Sequence, residues 1–289
     1  MPVFPVRITY KMPPFPNLIS ESVLVSDTIS YLQAVGGEAT AVRVVDRVMK
    51  IRRPDPGFAH ILVSDLAERD TRLFVADGVV TYRDAKHDQI DLGMAEYIAL
   101  DVETTGSKPP GSRVMEIAAY RVRNGQVAES FHSLVNPEMP IPEFIIGLTG
   151  ISDAMVATAP RFAEIANELI EFIGDSVVVA HNAQFDMAFL NYEIGRVYED
   201  YRLGNASLCT VQLSRSLVDD VANHKLKTMA NYYAVELINH HRAGDDAHAT
   251  AKILIYLLRE LETRGVNNIG AARRLSRKKP YVRPSTAAA

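Results

Sequence analysis

The second half of this sequence predicts a mixed α/β layer fold, preceded by a smaller α+β segment. Three observations carry the prediction. YIALDVETTG is an apolar run ending in polar residues, as a buried strand does. VMEIAAYRVRNGQVAESFHSLVNP is a pair of strands turning at Asn124-Gly125. Strand then alternates with helix: RFAEIANELIEFI sets Phe162, Ile165, Ala166, Leu169 and Phe172 on one side, VVVAH is a second buried strand, and NAQFDMAFLNYEIG is a helix. After Cys209 the text is mostly helical and closes with DDAHATAKILIYLLRELE.

The first half has a different grammar. Residues 1–20 hold Pro2, Pro5, Pro13, Pro14 and Pro16 and suit an extended arm. Three helical stretches follow, SDTISYLQAVGG, EATAVRVVDRVMKI and PDPGFAHILVSDLAERD, broken by Gly36-Gly37 and Pro54-Asp55-Pro56. Two strands then join at Asp77-Gly78. Helix, helix, helix, hairpin over 21–84 resembles a winged-helix domain. In that resemblance the third helix would enter a DNA groove, yet here it carries Asp65, Glu68 and Asp70 against His60 and Arg69. Arg43, Arg47 and Lys50 on the second helix could touch phosphates. A protein-docking or substrate-orienting role is the better expectation. Residues 85–95 are polar and aperiodic, hence a linker; 96–264 form the α/β domain; 265–289 form a basic tail.

Composition excludes several classes. At 289 residues, 47% hydrophobic and 23% charged, the chain lies in the globular range, which rules out disorder, collagen-like repetition and coiled coil for most of it. Cys209 stands alone and cannot form an internal disulfide. No run approaches the roughly 18 apolar residues of a membrane span, and the proline-broken start lacks a signal-peptide core. A reducing, cytoplasmic setting without membrane contact is expected. The net charge of −4 hides an asymmetry, because Arg273, Arg274, Arg277, Lys278, Lys279 and Arg283 fall in a stretch with no acid. The body is therefore acidic, and suits cations, while the tail suits polyanions.

Three clusters carry the chemistry. Asp101 and Glu103 are two apart on a strand, so both carboxylates project from one face. Two like charges on a buried strand are costly unless cations meet them, and a divalent metal is the natural remedy. In AHNAQFD a strand ends at His181 and a helix places Asp186 near its start. In HHRAGDDAHATA, His241 precedes Asp246 by five positions, and Ala247, Ala249 and Ala251 let a helix opening at Gly244-Asp245 approach the sheet, so that Asp246 reaches Asp101.

DVETTG, EIAAYRV, LVNP, LTGIS, AHNAQFD, CTVQLSR and HRAGDDAHAT follow one another across residues 96–261. In this order they resemble the DEDDh 3′-to-5′ exonucleases, the family of the bacterial polymerase III epsilon proofreading subunit. The resemblance implies a ribonuclease-H-like fold, a mixed five-stranded sheet flanked by helices. It implies hydrolysis of phosphodiester bonds from the 3′ end, with Asp101, Glu103, Asp186 and Asp246 as metal ligands and His241 as proton acceptor. None of the five departs from the family pattern, which argues against an inactive scaffold. Oxygen-only ligands favour Mg²⁺ or Mn²⁺, and two such ions about 3.5–4 Å apart serve the attacking and leaving oxygens. By the same resemblance Asp101 bridges them, Glu103 and Asp246 complete the first site, and Asp186 serves the second. Thr104, Thr105 and Gly106 line the 3′-terminal nucleotide, His181 lies near the scissile phosphate, and Glu116 is a supporting residue. The expected substrate is the 3′ end of single-stranded or frayed DNA in proofreading or repair, with release of nucleoside 5′-monophosphates and a DNA polymerase or repair complex as partner. RNA ends are the alternative substrate.

Overall fold

The structure, a computed structural model, describes residues 15–83 and 86–276. The first fourteen residues of the expected arm, and Arg277, Lys278, Lys279 and Arg283 of the tail, lie outside the described residues. The chain divides into two compact units. One takes the chain up to residue 85 together with Ile194–Gly204; the other takes Lys86–Glu193 and the chain from Asn205 onward.

The first unit contains β1 (Leu18–Ser20), α1 (Val23–Ala34), β2 (Glu38–Thr40), α2 (Ala41–Arg47), α3 (Pro56–Ala67), β3 (Leu73–Ala76) and β4 (Val79–Tyr82). Strands β2, β4 and β3 form an antiparallel sheet in that order. Its hairpin turns at Asp77-Gly78, where φ is 49° and 73°, the left-handed pair that a two-residue turn requires. Val25, Leu32, Val44, Val63 and Val80 fill the core. Glu38–Thr40, expected as the start of the second helix, is a strand instead: it pairs with β4, and the Thr40 hydroxyl accepts the Arg43 N–H and starts α2 one residue later. Helix α2 ends at Arg47, so Lys50, at φ 61°, does not extend a helical face with Arg43 and Arg47. Asp70, expected as a surface acid of the third helix, is fully buried. It takes a two-pronged pair from Arg72 at 2.8 Å each and the Ser20 N–H at 2.9 Å, and so anchors β1.

The second unit begins with a 3₁₀ turn at Lys86–Gln89 and continues through β5 (Tyr97–Thr104), β6 (Val114–Arg123), β7 (Gln126–Leu134), α4 (Glu143–Thr149), α5 (Asp153–Val156), α6 (Phe162–Ile173), β8 (Val177–Ala180) and α7 (Ala183–Val197). After α7 the chain forms β9 (Tyr201–Leu203), which belongs to the first unit and pairs antiparallel with β1. Gly204 follows it because a Cβ there would stand 2.6 Å from Ile19 Cγ2. Then come β10 (Ser207–Cys209), α8 (Thr210–Leu217), α9 (Leu226–Tyr232), α10 (Ala243–Thr263) and α11 (Ile269–Ser276).

The five-stranded sheet runs β10-β8-β5-β6-β7, with β10, β8 and β5 parallel and β6 antiparallel to both of its neighbours, β5 and β7. This is the mixed five-stranded sheet of a ribonuclease-H-like fold. On β5, Tyr97 and Ala99 join Val177, Val179, Leu208 and the helical residues Leu213, Ile253 and Leu257 in one core, while Ile98 and Leu100, of opposite parity, are equally buried. In α6 the buried stripe continues from Leu169 to Ile173 and not to Phe172, which is partly exposed with the Arg121 guanidinium 4.9 Å above its ring. Strand β10 was not expected; three residues carry no alternation that marks them. Among the described residues no helix is long and apolar enough to cross a membrane.

Residues 86–95, expected as a linker, are built into the second unit. The Leu92 N–H donates to Asn267 O at 2.9 Å, the Ile269 N–H donates to Ile90 O at 3.0 Å, and Leu92 is buried in the core. The expected tail likewise opens with α11, where Ile269 and Ala272 are buried and Arg273 pairs with Asp88 at 2.6 Å. A fragment starting at residue 96 is therefore expected to be less stable than one starting at 86 by at least about 2 kcal/mol, the lower bound for deleting one buried leucine. Urea unfolding of the two fragments, which both lack β1, measures the difference.

Candidate active site

Strand β5 places Asp101 and Glu103 on the face that Tyr97 and Ala99 share, toward its C-terminal end. Register sets Asp101 opposite Ala118 and Glu103 opposite Glu116 on β6. A shift in register after Glu103 ends the regular ladder and turns the chain into the Thr104–Gly106 loop. Strand β8 runs parallel to β5, so its end, and the start of α7, open on the same side as the acids. From the first turn of α7 the buried Asp186 reaches the Val102 N–H, which donates to its Oδ1 at 3.3 Å.

Asp246 comes from α10. Ala243 and Ala247 on this helix pack against Ala118, and side chains this small let the helix lie close on the sheet. One carboxylate oxygen from each of Asp101, Glu103 and Asp246 lies within 4.8 Å of the others. The helix is gripped at its start by Glu116, which is fully buried on β6. Glu116 accepts Arg242 Nη2–H at 2.7 Å, Arg242 Nε–H at 3.1 Å and the Ala243 N–H at 3.0 Å, and its Oε1 lies 2.9 Å from His132 Nε2. Burial alone would push Glu116 up; these hydrogen bonds and the Arg242 charge bring it down to about 2, so it stays ionised. The sequence marked Glu116 only as a supporting residue and gave no sign of Arg242 or His132, which alternate onto the same buried carboxylate only once β6, β7 and α10 are assembled.

His241 stands on the loop before α10 at φ 71° and donates its backbone N–H to Asp246 Oδ2 at 3.1 Å. Burial and the neighbouring His240 hold its ring below the ordinary histidine value, partly opposed by Asp246. His240 was not singled out by the sequence. Its Nδ1 lies 3.1 Å from both oxygens of Asp246, and its ring stacks on that of His241 at 3.9 Å. Asp245, in the first turn of this helix, accepts from Asn239 Nδ2 at 2.9 Å.

His181 and the threonines take unexpected parts. His181 Nε2 lies 3.0 Å from His224 O, so it carries the proton, and Nδ1 then accepts from the Thr210 hydroxyl at 2.9 Å. Burial lowers its pKa to about 4 and keeps it neutral. The two ring nitrogens thus tie the end of β8 to the start of α8 and to the segment before α9. Thr104 donates its hydroxyl to Gly106 O at 2.7 Å, and Thr105 Oγ1 accepts the Arg113 N–H at 2.9 Å. Arg113 in turn meets Glu193 of α7 at 2.7 and 2.9 Å. The loop after β5 and the helix that carries Asp186 are joined through this one residue, the loop by its backbone N–H and the helix by its guanidinium.

Burial and mutual repulsion act on the four carboxylates. Burial, then Asp186, Glu103, Asp246 and Glu116, push Asp101 well above the usual range. Burial with Asp246, Glu116 and Asp186 pushes Glu103 to about 8, against the pull of Arg242. Burial also raises Asp186 and Asp246. Converging buried oxygens with unneutralised charge are the donor set of a hard divalent cation, so the residues present fit divalent metal.

Several known proteins are similar to this chain. A family model described as exonuclease, RNase T, matches residues 98–254. The PolC-type DNA polymerase III of Bacillus subtilis is 35% identical over 214 residues, 72% of this chain, and that of Caldanaerobacter subterraneus is 38% identical over 174 residues, 60% of this chain. The match spans only 15% and 12% of those polymerases. Among solved structures, Exonuclease X in complex with 5′-overhanging duplex DNA superposes with a TM-score of 0.50 at 26% identity, covering 63% of this chain and 99% of that one. E. coli Exonuclease I with a dT13 oligonucleotide shares the fold, with a TM-score of 0.52 at 17% identity over 59% of this chain and 42% of that one.

Carboxyls raised in the folded state make stability fall as pH rises. Near pH 4 and below, these groups are protonated in folded and unfolded chains alike; between about pH 4 and 8 the unfolded chain loses those protons first and unfolding is favoured. Glu116 works oppositely, and its contribution is lost as pH falls from 4.5 toward 2. Thermal unfolding in chelator is expected to show a Tm that drops from about pH 5 to pH 8, that Mg²⁺ restores at the alkaline end, and that Asp101→Asn makes less steep.

Proposed function

This chain belongs to the RNase T family of exonucleases, and on that premise we propose that it removes nucleotides from the 3′ end of DNA, single-stranded or frayed, releasing nucleoside 5′-monophosphates. The observation that carries the reading is the convergence of Asp101, Glu103 and Asp246 within 4.8 Å, beside the buried Asp186 and with His241 tied to Asp246. The PolC-type polymerase relatives and Exonuclease X with its duplex DNA support DNA over RNA, a proofreading or repair role, a cytoplasmic setting and a polymerase or repair complex as partner.

In this reading Asp101, Glu103, Asp186 and Asp246 would hold two divalent ions, Mg²⁺ or Mn²⁺. Bound there, such ions would neutralise charge on the attacking and leaving oxygens and ease deprotonation of water. His241 takes the proton of the attacking water through a ring nitrogen, and its lowered pKa keeps it in the accepting form near neutrality. Glu116 and Arg242 fix the start of α10 and so the position of Asp246. Thr104 and Thr105 shape the loop after β5, and the backbone around Gly106 lines the 3′-terminal nucleotide. His181, held by Thr210 and His224 O, lies near the scissile phosphate. The first unit, winged-helix-like in element order, serves docking or substrate orientation. Phe58 and Ile61, exposed on α3 beside the acidic Asp65, favour a protein partner over a DNA groove.

End-labelled single-stranded DNA, duplex DNA and RNA, each with Mg²⁺ or Mn²⁺, test the activity; RNA cleaved faster than both DNAs would refute the substrate. Asp101→Ala is expected to abolish hydrolysis while circular dichroism stays unchanged, and more than about a tenth of wild-type activity would contradict the two-ion arrangement. His241→Ala is expected to lower the rate by about 10² to 10⁴ while Mn²⁺ affinity survives. Affinity lost together with rate would make His241 a ligand and not the proton acceptor.

A further inference from the structure

Asp246 stands between two donor sets of different chemistry. On one side are Asp101 and Glu103, oxygen donors only. On the other are His240 and His241, nitrogen donors, and one ligand atom from each of His240, His241 and Asp246 also lies within 4.8 Å of the other two. His240 Nδ1 is already 3.1 Å from both carboxylate oxygens, and the two rings lie face to face at 3.9 Å, inclined by 20°. Asp246 is buried and held by the His241 N–H, whereas the His240 side chain is 37% exposed, so the cluster has a fixed floor and an open mouth.

We propose that His240, His241 and Asp246 form a second cation site that takes a borderline transition-metal ion such as Zn²⁺, and that its occupancy switches the nuclease off. Two imidazoles and one carboxylate are a donor set that zinc accepts, with an open fourth position for water. Mg²⁺ prefers oxygen and keeps its own water, so it does not compete here. The two sites exclude each other in function. An ion on a His241 nitrogen takes the lone pair that would accept the proton, and it draws on the same Asp246 that the carboxylate cluster needs. His240 is the discriminating residue, since it belongs to the nitrogen set alone. The inhibitory part rests on the proposed nuclease function; the binding part does not.

The test uses the full metal-free chain with Co²⁺ as spectroscopic probe and Zn²⁺ as competitor. Wild type is expected to develop the strong visible absorption of low-coordinate, nitrogen-ligated Co²⁺, displaced by Zn²⁺ and not by Mg²⁺. His240→Gln is expected to lose that absorption and to need at least about tenfold more Zn²⁺ for half-inhibition of Mg²⁺-supported hydrolysis. Asp101→Asn, inactive as a nuclease, is expected to keep the absorption. His240→Phe, a ring of similar size with no ligand atom, repeats the measurement should the glutamine variant fold poorly. Absent absorption in wild type, equal Zn²⁺ sensitivity in wild type and the His240 variants, or absorption lost in Asp101→Asn and kept in His240→Gln, each overturns the proposal. Absorption in a chain without Mg²⁺-supported hydrolysis upholds the cation site and overturns the nuclease function.

Discussion

Glu116 is a fully buried carboxylate that stays ionised, and the geometry of the site depends on what satisfies it. A buried charge without partners costs several kcal/mol. The partners that prevent this come from three directions, His132 on β7 and Arg242 and the Ala243 N–H at the start of α10. Those bonds determine where α10 begins against the sheet. The small side chains Ala118, Ala243 and Ala247 determine how near it lies. Together they bring Asp246 to acids that sit about 145 residues earlier in the chain.

The same sheet therefore holds two kinds of carboxylate. Glu116 has its charge matched by protein, while Glu103, directly opposite it on the β5–β6 ladder, is opposed only in part by Arg242, and Asp101, two residues before Glu103 on β5, is pushed up by the neighbouring acids. Glu116 is fully buried, and Asp101 and Glu103 are half-buried. What also separates them is the supply of donors: among the described residues Glu116 receives hydrogen bonds from Arg242 and the Ala243 N–H, whereas Asp101 faces other acids. The Arg113–Glu193 pair plays a similar part on the other side, where Arg113 ties the loop after β5 to the helix of Asp186.

Unit boundaries follow packing and not sequence order. Strand β9 lies deep within the sequence of the nuclease region yet completes a ribbon with β1, and Asp70 holds that ribbon through the Ser20 N–H. Residues 86–95 read as a polar connection because their apolar members, Ile90 and Leu92, are isolated in the text. Those two make the segment a fixed part of the second unit, by backbone bonds to the α10–α11 connection.

The sequence by itself determined much of this. Period-two alternation in YIALDVETTG placed Asp101 and Glu103 on one face, the Asn124-Gly125 and Asp77-Gly78 turns set both hairpins, and small residues after Asp246 announced a helix in close contact with a sheet. These features are local, so a window of ten residues contains their cause. Tertiary structure alone decided the rest. Three-residue strands such as β2, β9 and β10 exist because a partner strand supplies their hydrogen bonds, and nothing within three residues encodes a partner. His181 is a clamp because Thr210 and His224 O arrive at its two nitrogens from 29 and 43 residues away. His240 stands at Asp246 because the turn before α10 folds back on its own helix. In each case the side chain's chemistry was readable from its letter, but its role depended on which distant donor or acceptor the fold delivered to it.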